Sequence, residues 1–179
     1  MAWHIDSAHS HIYFSVRHMM ISKVRGSFES FGGEVSFDPE NLTATAVHIT
    51  VDVNSLATKN ADRDGHLASP DFLHAERFPK LVFQSTKIEQ IDEQTGKLYG
   101  NLTIKDVTKP VVLDVEYAGT AKSPWGTTSA GFSATTSINR VDWGLTWNQA
   151  LETGGVLVGE KIKIEIELEL VQQAETVPA

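Results

Sequence analysis

Apolar and polar residues alternate with a period of two along most of the chain, the spacing that sends successive side chains of a β-strand to opposite faces. In Ile12-Tyr13-Phe14-Ser15-Val16-Arg17-His18 the even positions are mostly apolar, and in Val47-His48-Ile49-Thr50-Val51-Asp52-Val53 the odd ones are. The same pattern predicts strands within residues 81–83, 98–104, 111–117 and 132–138. It is clearest over residues 161–170, where Lys and Glu alternate with Ile and Leu throughout, as on a sheet with one face on a core and the other in water. Turn chemistry separates these runs at Gly32-Gly33, Asp38-Pro39-Glu40-Asn41, residues 92–96 and Ser123-Pro124-Trp125-Gly126. Residues 55–79 follow another rhythm, and Asn60-Ala61-Asp62-Arg63-Asp64-Gly65-His66-Leu67 and Pro70-Asp71-Phe72-Leu73 read as short helical segments.

About eight strands without a βαβ rhythm predict an all-β fold, a sandwich or a closed antiparallel barrel, with a helical insertion around residues 58–75. Closure is the favoured expectation, because a barrel of about eight strands has an interior that side chains fill or that one small ligand occupies. One domain is expected over residues 1–171, with residues 172–179 as a flexible tail.

Composition narrows the function classes. With 41% hydrophobic residues among 179, the chain is large enough to bury a core without covalent staples. It has no cysteine, which removes disulfides, thiol catalysis and thiolate metal sites. A net charge of -8 argues against nucleic acid, where affinity comes from Lys and Arg displacing counterions. No stretch approaches the length of apolar sequence needed to span a bilayer as a helix. Met1-Ala2-Trp3-His4-Ile5-Asp6 has neither a basic nor an apolar leader region, so the expected location is cytoplasmic, or periplasmic if a native leader has been removed.

Chemistry-bearing motifs are sparse. There is no G-x-S-x-G elbow, no H-E-x-x-H, no phosphate loop and no dinucleotide fingerprint, so no enzymatic activity and no cofactor are expected. His9 and His11 lie two apart and would share a strand face, but without a second spaced pair no metal site is expected. The alternation turns Ile12, Phe14, Val16, Phe83, Leu102, Ile104, Leu113, Phe132 and Ile138 inward. By periodicity alone a packed core is the favoured reading of these residues, ahead of the wall of a void.

Several segments, in order, resemble the YceI-like polyisoprenoid-binding family. They are Trp3-His4-Ile5-Asp6, His9-Ser10, Phe14-Ser15-Val16-Arg17-His18-Met19, Gly26-Ser27-Phe28, Arg63-Asp64-Gly65-His66-Leu67, Asp71-Phe72 and Phe78-Pro79. Further along come Phe83-Gln84-Ser85-Thr86, Gly100-Asn101-Leu102-Thr103-Ile104, Val107-Thr108-Lys109-Pro110-Val111, Asn139-Arg140, Asp142-Trp143-Gly144 and Val158-Gly159-Glu160. Asp106 departs from the pattern, standing where the family often has glycine in a turn. The resemblance implies an extended lipocalin-like barrel whose inward residues line an apolar tunnel for a polyisoprenoid, an isoprenoid quinone or a fatty amphiphile, and it leans towards a homodimer. The competing expectations are a structural or stress-related barrel with a filled core and an enzyme acting on isoprenoid lipids. Trp143, Leu145 and Trp147, beside Thr153-Gly154-Gly155, form either a lip in contact with ligand or a hydrophobic plug. Arg140 either binds a pyrophosphate through its fork of donors or, the favoured alternative, pairs with a carboxylate such as Asp64 or Asp142. His18 continues the inward parity of Phe14 and Val16 and is either a hydrogen-bonding group in the cavity or a satisfied core histidine.

Overall fold

In the computed structural model, which describes residues 2–152 and 154–173, the chain forms one continuous antiparallel sheet. Its strands are β1 (His4–Ile5), β2 (His11–His18), β3 (Ser22–Phe28), β4 (Phe31–Ser36), β5 (Ala46–Asp52), β6 (Leu56–Ala57), β7 (Lys80–Gln90), β8 (Thr95–Ile104), β9 (Val107–Lys122), β10 (Thr127–Asn139) and β11 (Val158–Gln173). The order across the sheet is β4-β5-β7-β8-β9-β10-β11-β2-β3-β6, with β1 paired to β11. The sheet is strongly curled, and the chain itself joins its two sides. β3 pairs with β2, whereas β4, two residues further on, pairs with β5. Asp52 N–H donates to the Ser30 carbonyl at the junction (2.9 Å). Counting β3 and β4 as one bent stave that changes partner, eight long staves surround the interior, in keeping with the lipocalin-like barrel expected.

The alternating segments lie in strands, except that Val53, at the end of one, begins a 3₁₀ turn. The glycines did not all behave as turn residues: Gly32 and Gly33 sit inside β4. Gly33 has φ 149°, and a Cβ there would lie 1.9 Å from the His48 carbonyl oxygen, so glycine serves close strand approach rather than chain reversal. The insertion contains one helix, α1 (Ala61–Ala68), capped by the Asn60 side chain, which accepts from Arg63 N–H at 3.0 Å. Residues 70–73 form turns instead of the second helical segment expected, folded back so that Leu73 N–H reaches the Leu67 carbonyl (2.9 Å). At the other end of the chain β11 continues through Gln172 and Gln173, two residues beyond the expected domain limit, and residues 174–179 lie outside the described residues. No helix among the described residues is long and apolar enough to cross a membrane.

Candidate functional site

Two apolar clusters lie towards opposite ends of the barrel. One gathers Ile104, Val111, Leu113, Ile138, Trp143 and Leu145. The other gathers Trp3, Phe37, Ala130 and Leu170, where the Phe37 ring meets Trp3, Tyr117 and Phe132 edge-on, with centroids at 5.2, 5.9 and 5.2 Å. Burial in this plug pushes the Tyr117 hydroxyl pKa up.

Between the clusters lies a cavity of about 790 Å³. Its wall includes Ile12, Phe14, Val16, Phe83, Leu102, Ile104, Leu113, Phe132 and Ile138, the inward residues of the alternation, together with Leu145, Trp147, His18 and Arg140. Ile12, Phe14, Val16, Phe83, Leu102 and Phe132 are only half-buried although they point inward. They face space instead of other side chains, which distinguishes a lined void from a packed core.

Trp143 is the exception among the expected wall residues. It does not border the cavity; it is 3% exposed and its indole N–H donates to the Leu102 carbonyl at 3.0 Å. The chain leaves β10 through a 3₁₀ turn at Arg140–Trp143. Period-two spacing ends there, which is why Trp143 and Trp147 part company.

Arg140 is also placed differently from the favoured expectation. At 2% exposure it meets no carboxylate among the described residues. Its Nε donates to Gly159 O (2.8 Å), Nη1 to Leu145 O (2.6 Å) and Trp147 O (2.9 Å), and Nη2 to Val158 O (3.2 Å). Asp64 is committed elsewhere, accepting from the backbone N–H and hydroxyl of Thr58. Four backbone carbonyls take the place of an anion, a set of partners that a list of carboxylates cannot anticipate. Burial lowers the guanidinium pKa, and the negative charge of Glu160 partly offsets that shift.

Polar wall residues gather where α1 faces the ends of β2 and β11, among them Arg17, His18, Asn60, Arg63 and His66. Arg63, named in the sequence only within a motif, keeps part of its donor capacity free. Its Nε donates to Thr58 Oγ1 and one Nη2 N–H to Thr58 O (2.8 and 2.6 Å). Three of the five N–H groups of an arginine therefore remain uncommitted among the described residues. His66 is engaged, with Nε2 2.9 Å from Asp71 Oδ2 and its ring edge-on to Trp147 and Phe72 (4.6 and 5.1 Å). At the far end the β7–β8 hairpin adds a second polar stretch, from Gln90 to Lys97.

His9 and His11 do not act together. His11 stacks on Tyr13 (5.7 Å), whereas His9 Nδ1 lies 2.8 Å from Asp6 Oδ2 and 3.4 Å from Glu169 Oε2. The hydrogen bond with Asp6 raises the His9 pKa and holds Asp6 below its ordinary value. Glu169 is raised, first by burial and then by its contact with Asp6. The ligand atoms of the three lie within 4.8 Å of one another, and in the structure they satisfy each other.

Comparison with known proteins agrees with this geometry. The profile of the YceI-like domain family matches residues 3–170. UPF0312 protein SA2479 of Staphylococcus aureus strain N315 is 39% identical over 165 residues, spanning 92% of this chain and 94% of its own. A crystal structure of the Campylobacter jejuni YCEI protein aligns with a TM-score of 0.75 at 34% identity, over 88% of this chain and 90% of that one. A polyisoprenoid binding domain from Saccharophagus degradans shares the fold, with a TM-score of 0.67 at 12% identity over 98% and 99% of the two chains.

Proposed function

The chain belongs to the YceI-like domain family, and from that premise we propose that it carries or stores a long apolar amphiphile, of polyisoprenoid or fatty type, inside the barrel. The observation that carries this reading is the cavity of about 790 Å³ lined by the inward apolar face. At interior packing density a five-carbon unit occupies roughly 130 Å³, so about six units fill the space. Burying one such unit contributes up to about 4 kcal/mol before ordering costs, which makes the tail the main source of affinity. The neighbouring fold from Saccharophagus degradans, described as polyisoprenoid binding, supports the prenyl class.

Head-group recognition falls to the mouth. Arg63, with its uncommitted donors, suits an anionic or carbonyl head group, and His18 stands on the same rim. Arg140 is fully occupied by carbonyl oxygens apart from one N–H and serves the wall rather than the ligand. A non-catalytic role is supported by the commitments of the polar wall residues: Arg140 and Arg63 are tied to carbonyls and Thr58, and His66 to Asp71.

The test is organic extraction and mass spectrometry of natively purified protein beside Ala134→Trp. Ala134 borders the cavity, and an indole there fills the lumen without disturbing the aromatic plug that Phe132 helps to build. The expected result is a prenyl or long-chain species near one per chain in the wild type, depleted in the variant. Repeated absence from the wild type, also after incubation with polyprenyl lipids and quinones, refutes the reading.

A further inference from the structure

The β2–β3 hairpin carries a feature that holding a ligand does not require. Its tip, Met19-Met20-Ile21, presents three large apolar side chains to solvent, 43%, 61% and 80% exposed. Met19 and Met20 both have left-handed φ, 52° and 62°, a conformation that side chains other than glycine, asparagine and aspartate resist. The tip is nevertheless fixed. Met19 N–H donates to Leu157 O (2.8 Å), Ile21 N–H to His18 O (3.2 Å), and the Met20 sulfur lies where a Cβ on Gly155 would stand. Leu157 and His18 border the cavity, so the exposed apolar tip is continuous with the cavity rim.

Charge is segregated in the same place. The chain carries a net charge of -8, yet residues 7–28 contain no Asp or Glu. At the base of the tip Arg17 and Lys23 are cross-strand partners, like charges set opposite one another at a cost to the sheet. Neither forms an ion pair among the described residues. An apolar tip flanked by Arg17 and by Lys23, whose charge also reaches Glu165 on β11, suits the surface of an anionic bilayer, with Met and Ile at the acyl boundary and the cations among the head groups.

We propose that the Met19-Met20-Ile21 tip seats the barrel, mouth first, on an anionic membrane surface, so that the ligand's tail passes between bilayer and cavity without crossing water. The proposal rests on the reading that the cavity holds an amphiphile. Flotation of the full chain with vesicles of equal parts phosphatidylcholine and phosphatidylglycerol, against phosphatidylcholine alone, tests it. The wild type is expected to favour the anionic vesicles. Met20→Ser with Ile21→Ser lowers that binding by about tenfold, and Lys23→Gln lowers it by about fivefold and flattens its salt dependence. Trp125→Ser leaves it unchanged, because Trp125, though 87% exposed, sits at the opposite end of the barrel. Thermal unfolding of each variant confirms that the fold is intact. Equal flotation on both vesicle types, or tip variants that float like the wild type, overturns the proposal, as does loss of binding in Trp125→Ser alone. Capture of a prenyl alcohol from detergent micelles, measured on the same proteins, separates the two readings. Capture retained by the tip variants while flotation is lost supports docking; absence of capture by the wild type overturns the ligand reading, and the transfer step with it, whatever the flotation shows.

Discussion

Arg140 offers a sharp division between bracing the barrel and binding a ligand's head group. Its guanidinium holds the carbonyls of Leu145 and Trp147, on the segment after β10, against those of Val158 and Gly159 at the start of β11. In Arg140→Met the four oxygens lose the guanidinium, although Val158 O keeps the Asn148 side-chain amide (2.7 Å). Leu145 is buried and pays the full cost, whereas the other three residues are closer to water or the cavity. At about 1 to 3 kcal/mol for a fully orphaned acceptor and less for a wetted one, the loss comes to about 4 kcal/mol. Relief of the buried charge's desolvation offsets part of this, leaving about 3 kcal/mol. Arg140→Lys retains the charge but presents a point donor to a site shaped for a planar fork, so it recovers less than half. Urea unfolding measures the loss. Amide exchange at Leu157, whose N–H donates to Gln149 O (2.9 Å), reports whether the segment loosens. Arg140→Met within about 1 kcal/mol of the wild type, with unchanged exchange at Leu157 and a large fall in affinity for a prenyl pyrophosphate, would refute the bracing role and restore the head-group one.

Three further outcomes follow from the structure. Trp143→Phe, which deletes the N–H donated to Leu102 O, lowers stability by about 1 to 2 kcal/mol in urea unfolding and leaves prenyl capture unchanged, since Trp143 does not border the cavity. Lys105 turns the two-residue β8–β9 hairpin with φ 58°, so Lys105→Gly raises stability by about 1 kcal/mol and the melting temperature by about 3 °C. For His9, the folded pKa lies above the ordinary 6.5. Its contribution is complete below pH 6.5 and is lost as pH rises through the folded value. A proton NMR titration should place the His9 midpoint above 6.5 and return it towards 6.5 in Asp6→Asn.

Strand positions were legible in the sequence wherever one face met the interior and the other met water, as in β2, β5 and β11, because a single side chain's polarity reports its face there. β3 and β4 escaped: Ser22-Lys23-Val24-Arg25-Gly26 has little alternation, and Gly32-Gly33 has the composition of a turn. The partners of Arg140 were hidden for a different reason. Every residue carries a carbonyl, so no residue type marks which four will converge on a guanidinium. Arg63 was visible as a charge in a motif, but its spare donors follow from the position of Thr58, a contact that only the folded chain defines.

The void itself is the feature that alternation cannot express, and two glycines help to account for it. A Cβ on Gly26 would lie 2.4 Å from the Phe14 ring, and one on Gly100 would lie 2.4 Å from the Phe83 ring. Each ring rests against a neighbouring strand at a position that only glycine leaves open. Both phenylalanines are inward residues of the size that would fill a barrel of eight staves if they pointed at its axis. Laid against the wall, they keep the surface apolar and leave the axis clear. Gly26 and Gly100 carry no polarity signal, so a reading based on polarity passes over them, yet in this barrel they help to decide between a filled core and a chamber for a lipid tail.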